Sequence, residues 1–463
     1  MTNLPSVGRG ALLKRWSPGF QPVSARHDGG CDARETSAEQ VADFQSDLAA
    51  LVARFSLAWL VAANLVGIWM ALLLVKPEIG DVVGEFSYGR WVPLHLDWHL
   101  YGWCSLPPVG ALFAFYLRPG AAALRQARWA LLAWSAALLA GGLSWLGGHT
   151  TGKLFLDWTG LARLALIAAQ TFLWGVLAFH WWSARAHARR RSLAAALLLA
   201  ALASVPAALV WATGRNLYPA IDPGTGGPTG ASLLGSTLGI ILIFSLTPKL
   251  LGLRSPSRSS ARRHWLLFGL SCALFAALDH RQSSHGDWRQ IAGLGALLAW
   301  IPLLGIRLRG FRWEAGSCRW LTATLWWWGL LVLSGFFEFC PGILDRAKFT
   351  HALVAHSHLA MAGLLTSFNM LVLSNLGSRS SQPLVNPAPF ALWHFGLAAH
   401  LFALAGLAVF EASDPAWLLQ SPAAMGSLYL LRLVAGIVMT VASIWWLAAT
   451  LRGRRPEKTM NPA

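Results

Sequence analysis

Long apolar runs alternate with short polar loops along the chain from residue 52 almost to its end. The run from Leu193 to Ala212 is typical, because about 20 residues in a helix cross roughly 30 Å of hydrocarbon. Twelve such runs are predicted as membrane-spanning helices: 52–75, 92–116, 128–147, 159–183, 192–213, 231–252, 264–279, 290–306, 320–339, 352–376, 389–411 and 427–451. The pattern therefore predicts an all-α polytopic membrane protein with about twelve transmembrane helices.

The polar segments divide the chain into three parts. Residues 1–50 are polar and charged, and we expect them to form a disordered cytoplasmic extension. Residues 51–455 make up the predicted membrane domain, and residues 456–463 are a short cytoplasmic tail. The first 50 residues contain no apolar core of a cleavable signal peptide, so the first span is expected to act as the insertion signal.

Composition agrees with this assignment. Of 463 residues, 55% are hydrophobic and only 12% are charged, whereas soluble proteins have roughly a quarter of their residues charged. Soluble, disordered and secreted disulfide-rich classes are therefore excluded. The five cysteines form no CxxC or CxxCH pattern, which excludes a redox dithiol and covalent c-type heme attachment.

The formal net charge of +17 bears on topology. In a soluble chain such an excess would suggest a nucleic-acid partner. With the N-terminus placed inside, the inner loops hold most of the 37 Lys and Arg residues, as the positive-inside rule requires. The charge therefore predicts that both termini are cytoplasmic and that no nucleic acid is bound.

Histidines from three distant segments are predicted to share one layer near the outer face. His95 and His99 lie in the second span, His356 and His358 in the tenth, and His280 at the outer end of the seventh. Because polar side chains are costly in hydrocarbon, such residues commonly mark functional sites. This convergence predicts a cofactor site.

The sequence His356-Ser357-His358 suggests two pockets. Two residues along a helix turn the side chain by about 200°, so the two imidazoles face opposite sides. His358 is thus able to share a six-coordinate heme with His95, which suits electron transfer, while His356 alone would hold a five-coordinate heme with a free face for a gas. His99 shares a face with His95 and is either an alternative ligand or a lining residue.

Two stretches carry a family resemblance: FSYGRWVPLH, from Phe86 to His95, and FTHALVAHSH, from Phe349 to His358. With them the chain resembles the catalytic subunit I of the heme–copper oxidase superfamily, closest to cbb-type cytochrome c oxidases and related to nitric oxide reductases. The resemblance implies a low-spin heme b on His95 and His358 and a high-spin heme on His356.

The same resemblance implies a function and a location. Dioxygen or nitric oxide would be reduced with electrons from a cytochrome c-like donor or c-type subunit on the outer side of a bacterial inner membrane. Arg163 and Arg432 lie just below the outer ends of the fourth and twelfth spans. They are expected to pair with anionic heme propionates, the alternative being that they extend to the interface.

The sequence also departs from the family. Its members place a metal-ligating histidine on the sixth span and a His-His pair on the seventh, which hold copper or non-heme iron. Here the sixth span has no histidine or carboxylate, and the seventh offers Asp279-His280. Three imidazoles suit copper, and His280 with Asp279 or His285 is a poor substitute, so we predict two b hemes without a complete second-metal site, with His280 as the candidate ligand.

Three functions remain open at this stage. The first is a gas-reducing oxidoreductase of the respiratory chain. The second is a non-catalytic membrane cytochrome b that relays electrons or senses a gas after loss of the copper site. The third is a transporter, which twelve spans would also fit, but transporters bind near the middle of the membrane and these histidines lie toward one side.

Overall fold

The computed structural model describes residues 30–82, 84, 86–184, 189–214, 230–254, 257–278, 286–377, 382–414 and 416–452. These residues form helices and connecting loops, and no β-strand occurs among them. The predicted all-α fold is confirmed.

The first half of the chain forms nine α-helices and one π-helical segment within the described ranges. They are α1 (Gly30–Val75), α2 (Ile79–Val82), α3 (Tyr88–Asp97), π1 (Trp98–Cys104), α4 (Leu106–Tyr116), α5 (Ala121–Leu146), α6 (Gly160–Ala184), α7 (Arg189–Ala203), α8 (Val205–Thr213) and α9 (Gly230–Leu250).

The second half adds ten α-helices and a second π-helical segment to the described structure. They are α10 (Arg258–Leu278), α11 (Trp288–Gly295), α12 (Trp300–Arg309), α13 (Cys318–Glu338), α14 (Leu344–Ala347), α15 (His351–His358), π2 (Leu359–Leu365), α16 (Thr366–Leu376), α17 (Pro387–Ser413), α18 (Trp417–Gln420) and α19 (Pro422–Arg452). Short 3₁₀ turns at Ala296–Ala299, Ala315–Ser317 and Gln382–Val385 connect some of them.

Ten helices in the described part are long and apolar enough to cross a membrane, and each overlaps a predicted span. The other two predicted spans are also helical, but their helices are too short or not apolar enough to be counted with these ten. Span 92–116 is divided into α3, π1 and α4, with Ser105 outside regular helix. Span 264–279 corresponds to α10, whose apolar part is shortened by Arg262 and Arg263 near its start. The chain is therefore a multi-pass membrane protein.

The N-terminal boundary differs from the sequence prediction. The helix α1 begins at Gly30, so residues 30–50 of the expected disordered extension are helical. Leu48 and Ala49 are almost completely buried, at 1% and 2% exposure, and this packing extends the helix beyond the apolar span. Residues 1–29 and the tail 456–463 lie outside the described residues.

Large apolar side chains cover the outside of the bundle, as expected where lipid replaces water. Leu143, Leu161 and Phe395 are 75%, 85% and 73% exposed. The exception is the span His351–Leu376, which has 78% of its apolar stretch buried, against 17–44% in the other nine. The buried stretch lies in π2 and α16, and α15 directly before them carries His356 and His358 without a fully buried residue.

Candidate functional site

Two π-helical segments lie next to the predicted histidines. The segment π1 follows α3, which carries His95, and it contains His99. The segment π2 begins immediately after His358, and π1 and π2 contact each other. Because π-helix is rare and occurs frequently at functional sites, this pair of segments marks the region independently of the histidines.

Side-chain hydrogen bonds from α16 hold the two π segments together. The indole Nε1 of Trp103 donates to Thr366 Oγ1 at 2.9 Å, and Asn369 Nδ2 donates to the carbonyl of Trp103 at 3.0 Å. Thr366 also donates to the carbonyl of Met361 in π2, at 3.0 Å. All the backbone irregularity near the histidines is therefore tied to one buried helix.

The imidazole rings of His95 and His358 lie close together in this region. Their ring centroids are 6.4 Å apart and the ring planes are inclined by 31°. His95 Nδ1 lies 2.9 Å from the carbonyl of Ala63, and His358 Nδ1 lies 2.8 Å from that of Val354. Since a carbonyl only accepts hydrogen bonds, both Nδ1 atoms carry the proton, and the lone pair is on Nε2.

The spacing of these rings suits one metal between them. Zinc–imidazole bonds are about 2.0–2.1 Å long, so two imidazoles bound to one metal ion would hold their rings at a separation similar to this one. A histidine whose other nitrogen is bound to a carbonyl is the usual arrangement of a metal ligand. Both side chains also keep some accessible surface, whereas the neighbouring Leu94 and Trp103 are 2% and 0% exposed.

Gly67 on α1 makes room for the ring of His95. A Cβ atom built on Gly67 would lie 2.6 Å from His95 Cε1, a distance that requires something to shift. Only glycine at this position therefore allows α1 to pack against the imidazole while the carbonyl of Ala63, one turn earlier, accepts its hydrogen bond.

Two further histidines extend the pair into a row of four rings. The ring of His99 lies 4.8 Å from that of His95, and the ring of His400 lies 4.6 Å from that of His358. No sequence motif points to His400. Its position results from α17 packing against both α15 and α19, a tertiary contact that periodicity along one helix does not reveal.

Arg432 lies at the end of this row. His400 Nδ1 is 3.3 Å from the backbone carbonyl of Arg432, and the arginine side chain is only 8% exposed. Two guanidinium nitrogens, Nε and Nη1, are buried with no hydrogen-bond partner in the described part of the chain. Burying unpaired donors of a cation is costly, so the site is suited to an anionic group.

A polar network adjoins Arg432 on the side predicted to face outward. Glu411 accepts from the backbone nitrogen of His351 at 2.8 Å and lies 2.7 Å from its Nδ1. The ring of Tyr429 is 5.9 Å from that of His351, and the charge of Glu411 acts on Arg432. The network links α15, α17 and α19 above the row of histidines.

His356 occupies a different environment from His358. Its Nδ1 lies 3.1 Å from Ser334 Oγ and 3.9 Å from a carboxylate oxygen of Glu338, both on α13. A Cβ atom on Gly335 would be 2.9 Å from His356 Cε1, so the ring packs directly against the α13 backbone. The two histidines of the His-Ser-His sequence thus contact different helices, as their spacing predicts.

Arg163, a further predicted residue, is not brought to this cluster. Arg163 is half-buried on α6, which packs mainly against α5 and α7, whereas Arg432 lies beside His400. The predicted second-metal ligand His280 and its neighbour Asp279 lie outside the described residues. Asp97, at the end of α3, is completely buried and lies within electrostatic reach of Asp157.

Comparison with known proteins adds no assignment. No protein-family model matches the chain, and no curated protein matches it.

Proposed function

We propose that the protein is a membrane heme protein in which His95 and His358 hold one heme b and His356 holds a second. The observation that carries this proposal is the pair of imidazoles with ring centroids 6.4 Å apart, each with Nδ1 bonded to a backbone carbonyl, which leaves the lone pair on Nε2. When bound, heme iron supplies one-electron transfer and, at a free axial position, binding of a diatomic gas.

The arrangement of donors supports heme over a bare metal ion. Within the described ranges, no three His, Cys, Asp or Glu side chains converge in a way that would hold a metal ion. A macrocycle provides the equatorial ligands itself, so it needs only one or two imidazoles from the protein. The pair His95 and His358 meets that need, and so does the separate ring of His356.

The environment of Arg432 is a second observation that supports the proposal. Two of its guanidinium nitrogens are buried without a hydrogen-bond partner among the described residues, and its charge acts on both His95 and His358. A guanidinium forms charge-assisted hydrogen bonds to carboxylates in a planar, forked geometry. We assign Arg432 to a heme propionate, and we retain Arg163 only as a candidate for the same role.

The residues around His356 differ from those around His358, because they place a hydroxyl and a carboxyl group beside its imidazole. Ser334 orients the imidazole through Nδ1, and Glu338 brings a carboxyl within 3.9 Å of the same nitrogen. Because His356 and His358 are two residues apart on one helix, α15, their pockets lie close together. Electrons would therefore pass over a short distance from the His95–His358 site to the His356 site.

On this basis we propose an oxidoreductase that reduces dioxygen or nitric oxide in respiration. A cytochrome c-like donor or c-type subunit would deliver electrons at the outer face of a bacterial inner membrane. The resemblance of the two histidine stretches to heme–copper oxidase subunit I supports this assignment.

A second candidate is an electron relay or gas sensor without catalysis. The observation that favours it is the composition of α9, in which no His, Cys, Asp or Glu occurs between Gly230 and Leu250. The position where related proteins hold copper or non-heme iron thus lacks a donor on this helix. Both candidates share the heme on His95 and His358.

Optical spectra and metal analysis of the purified protein test the proposal. Two b hemes per chain, one of which binds carbon monoxide, would support the gas-reducing enzyme. A single heme that does not bind carbon monoxide would favour the relay. A preparation made with adequate heme supply that contains no heme would refute both.

A further inference from the structure

A second group of basic side chains, two cations and a histidine, lies at the end of the bundle away from the histidine row. Lys249 is near the end of α9, His264 is near the start of α10, and Arg307 is near the end of α12. The charge pattern of the loops predicts that all three helix ends face the cytoplasm. None of these residues belongs to the heme site proposed above.

Arg307 is the most buried cation of the group. Its side chain is 1% exposed, and Nε, Nη1 and Nη2 are all buried with no hydrogen-bond partner among the described residues. The guanidinium carbon lies 4.7 Å from the ring of Phe311 and 5.9 Å from that of Trp265. Aromatic rings attract the cation, but they do not satisfy its directional N–H donors.

Lys249 adds a second positive charge, and His264 lies within electrostatic reach of both cations. Lys249 Nζ lies 5.8 Å from the ring of Trp265, the same ring that Arg307 approaches. His264 is fixed by Ser245, whose Oγ is 2.9 Å from its Nε2, and the charges of Arg307 and Lys249 both act on it. The intervening chain, 249–264, contains no Asp or Glu.

The surface beside the cluster is apolar and open to lipid. Leu266 and Leu270 on α10 are 64% and 58% exposed, and Ile306 on α12 is 63% exposed. Leu266 and Ile306 are the sequence neighbours of Trp265 and Arg307. A ligand here would therefore meet buried cationic donors at one end and hydrocarbon-facing side chains along its length.

We propose that Arg307, Lys249 and His264 bind the phosphate of an anionic phospholipid, such as phosphatidylglycerol or cardiolipin, in the cytoplasmic leaflet. The phosphate would accept hydrogen bonds from the guanidinium, and the acyl chains would lie against Leu266, Leu270 and Ile306. Basic pockets between helix ends on this side of a membrane are suited to such headgroups.

Native mass spectrometry of the delipidated protein with added phosphatidylglycerol tests this assignment. Arg307→Gln removes the buried guanidinium group. Arg309→Gln is the matched control, because Arg309 is an exposed arginine on the same helix. Charge-assisted hydrogen bonds are strong enough that we expect the dissociation constant to rise about tenfold or more in R307Q and less than about twofold in R309Q. Phosphatidylcholine is the zwitterionic control lipid.

A second variant and a competition experiment complete the test. If R307Q does not fold, Lys249→Gln replaces it, with a smaller expected loss of phosphatidylglycerol. Competition by inorganic phosphate at an affinity equal to that of the lipid would show a soluble-phosphate site and overturn the lipid assignment. Equal effects of R307Q and R309Q, or no preference for phosphatidylglycerol over phosphatidylcholine, would also overturn it.

Discussion

His95 and His358 lie far apart in the sequence, yet their ring centroids are 6.4 Å apart. The Nδ1 atom of His95 is bonded to a carbonyl of α1, and that of His358 to a carbonyl of its own helix, α15. Ala63 on α1 orients His95, and Val354 on α15 orients His358. Both Nε2 atoms are thus oriented by the fold itself, which lowers the cost of binding a metal between them.

The first prediction concerns Gly67, which packs against His95. Gly67→Ala places a Cβ 2.6 Å from His95 Cε1 and must displace the ring or α1. Such overpacking costs about 1–3 kcal/mol, and we expect the low-spin heme signal per chain to fall markedly. The measurement is the reduced-minus-oxidised spectrum of purified protein, normalised to protein content.

Gly175→Ala is the control for this change. Gly175 is also a mid-helix glycine, on α6, but a Cβ there meets no atom within 4 Å. Alanine is better than glycine in a helix by about 0.5–1 kcal/mol, so stability should be unchanged or improved and the spectrum retained. Equal heme loss in both variants would contradict the role assigned to Gly67.

The second prediction separates the two proposed heme pockets. Gly335→Ala brings a Cβ to 2.9 Å from His356 Cε1, without a corresponding contact to His358. We expect carbon monoxide binding to fall while the low-spin spectrum persists. Gly329→Ala on the same helix is the control, since its Cβ would meet Ile301 at an ordinary 3.7 Å. Loss of the low-spin signal in G335A with carbon monoxide binding intact would refute the assignment.

The third prediction concerns the charge of Arg432. A nearby cation stabilises the reduced heme, which carries one more electron, so Arg432→Gln should lower the midpoint potential of the low-spin heme. A loss of about 1.4 kcal/mol corresponds to about 60 mV for one electron. Potentiometric titration with optical detection measures this shift. Arg163→Gln is the comparison, and a larger shift in R163Q than in R432Q would reverse our ranking of the two arginines.

Hydropathy along the chain was sufficient to predict the helical fold, because lipid requires about 20 consecutive apolar residues in each span. It did not locate the start of α1, where Leu48 and Ala49 are buried by packing against other helices rather than by lipid. Hydropathy also predicts one regular helix over residues 92–116, whereas π1 interrupts the helix there. That irregularity is stabilised by two hydrogen bonds between Trp103 in π1 and residues remote in sequence: Thr366 accepts from its indole, and Asn369 donates to its carbonyl.

The candidate site was predictable only in part, for a similar reason. Helical geometry is local, so the spacing of His356 and His358 was enough to place them on different sides of one helix. The contact of His400 with His358 depends on how α17 packs, and the clearance at Gly67 depends on how α1 packs. Neither relationship leaves a periodic signal in the sequence.

The fourth prediction tests the topology. Cys318 begins α13 and Cys340 follows its end, so one lies on each side of the membrane. With both termini cytoplasmic, a membrane-impermeant thiol reagent added to intact cells should label a single-cysteine variant that retains Cys340 and spare one that retains Cys318, which is exposed. Permeabilised cells provide the control. The opposite labelling pattern would invert the assignment of the histidine row to the outer half.

The low-spin heme signal in histidine variants tests the central claim most directly. We would record electron paramagnetic resonance and reduced optical spectra of the wild-type protein and of His95→Ala, His358→Ala and His356→Ala. His180→Ala is the control, since His180 is a buried histidine that bonds to Gln126 on α5 at 2.7 Å. We predict that H95A and H358A each abolish the bis-histidine signal, whereas H356A and H180A retain it. A bis-histidine signal that survives in both H95A and H358A would contradict the account.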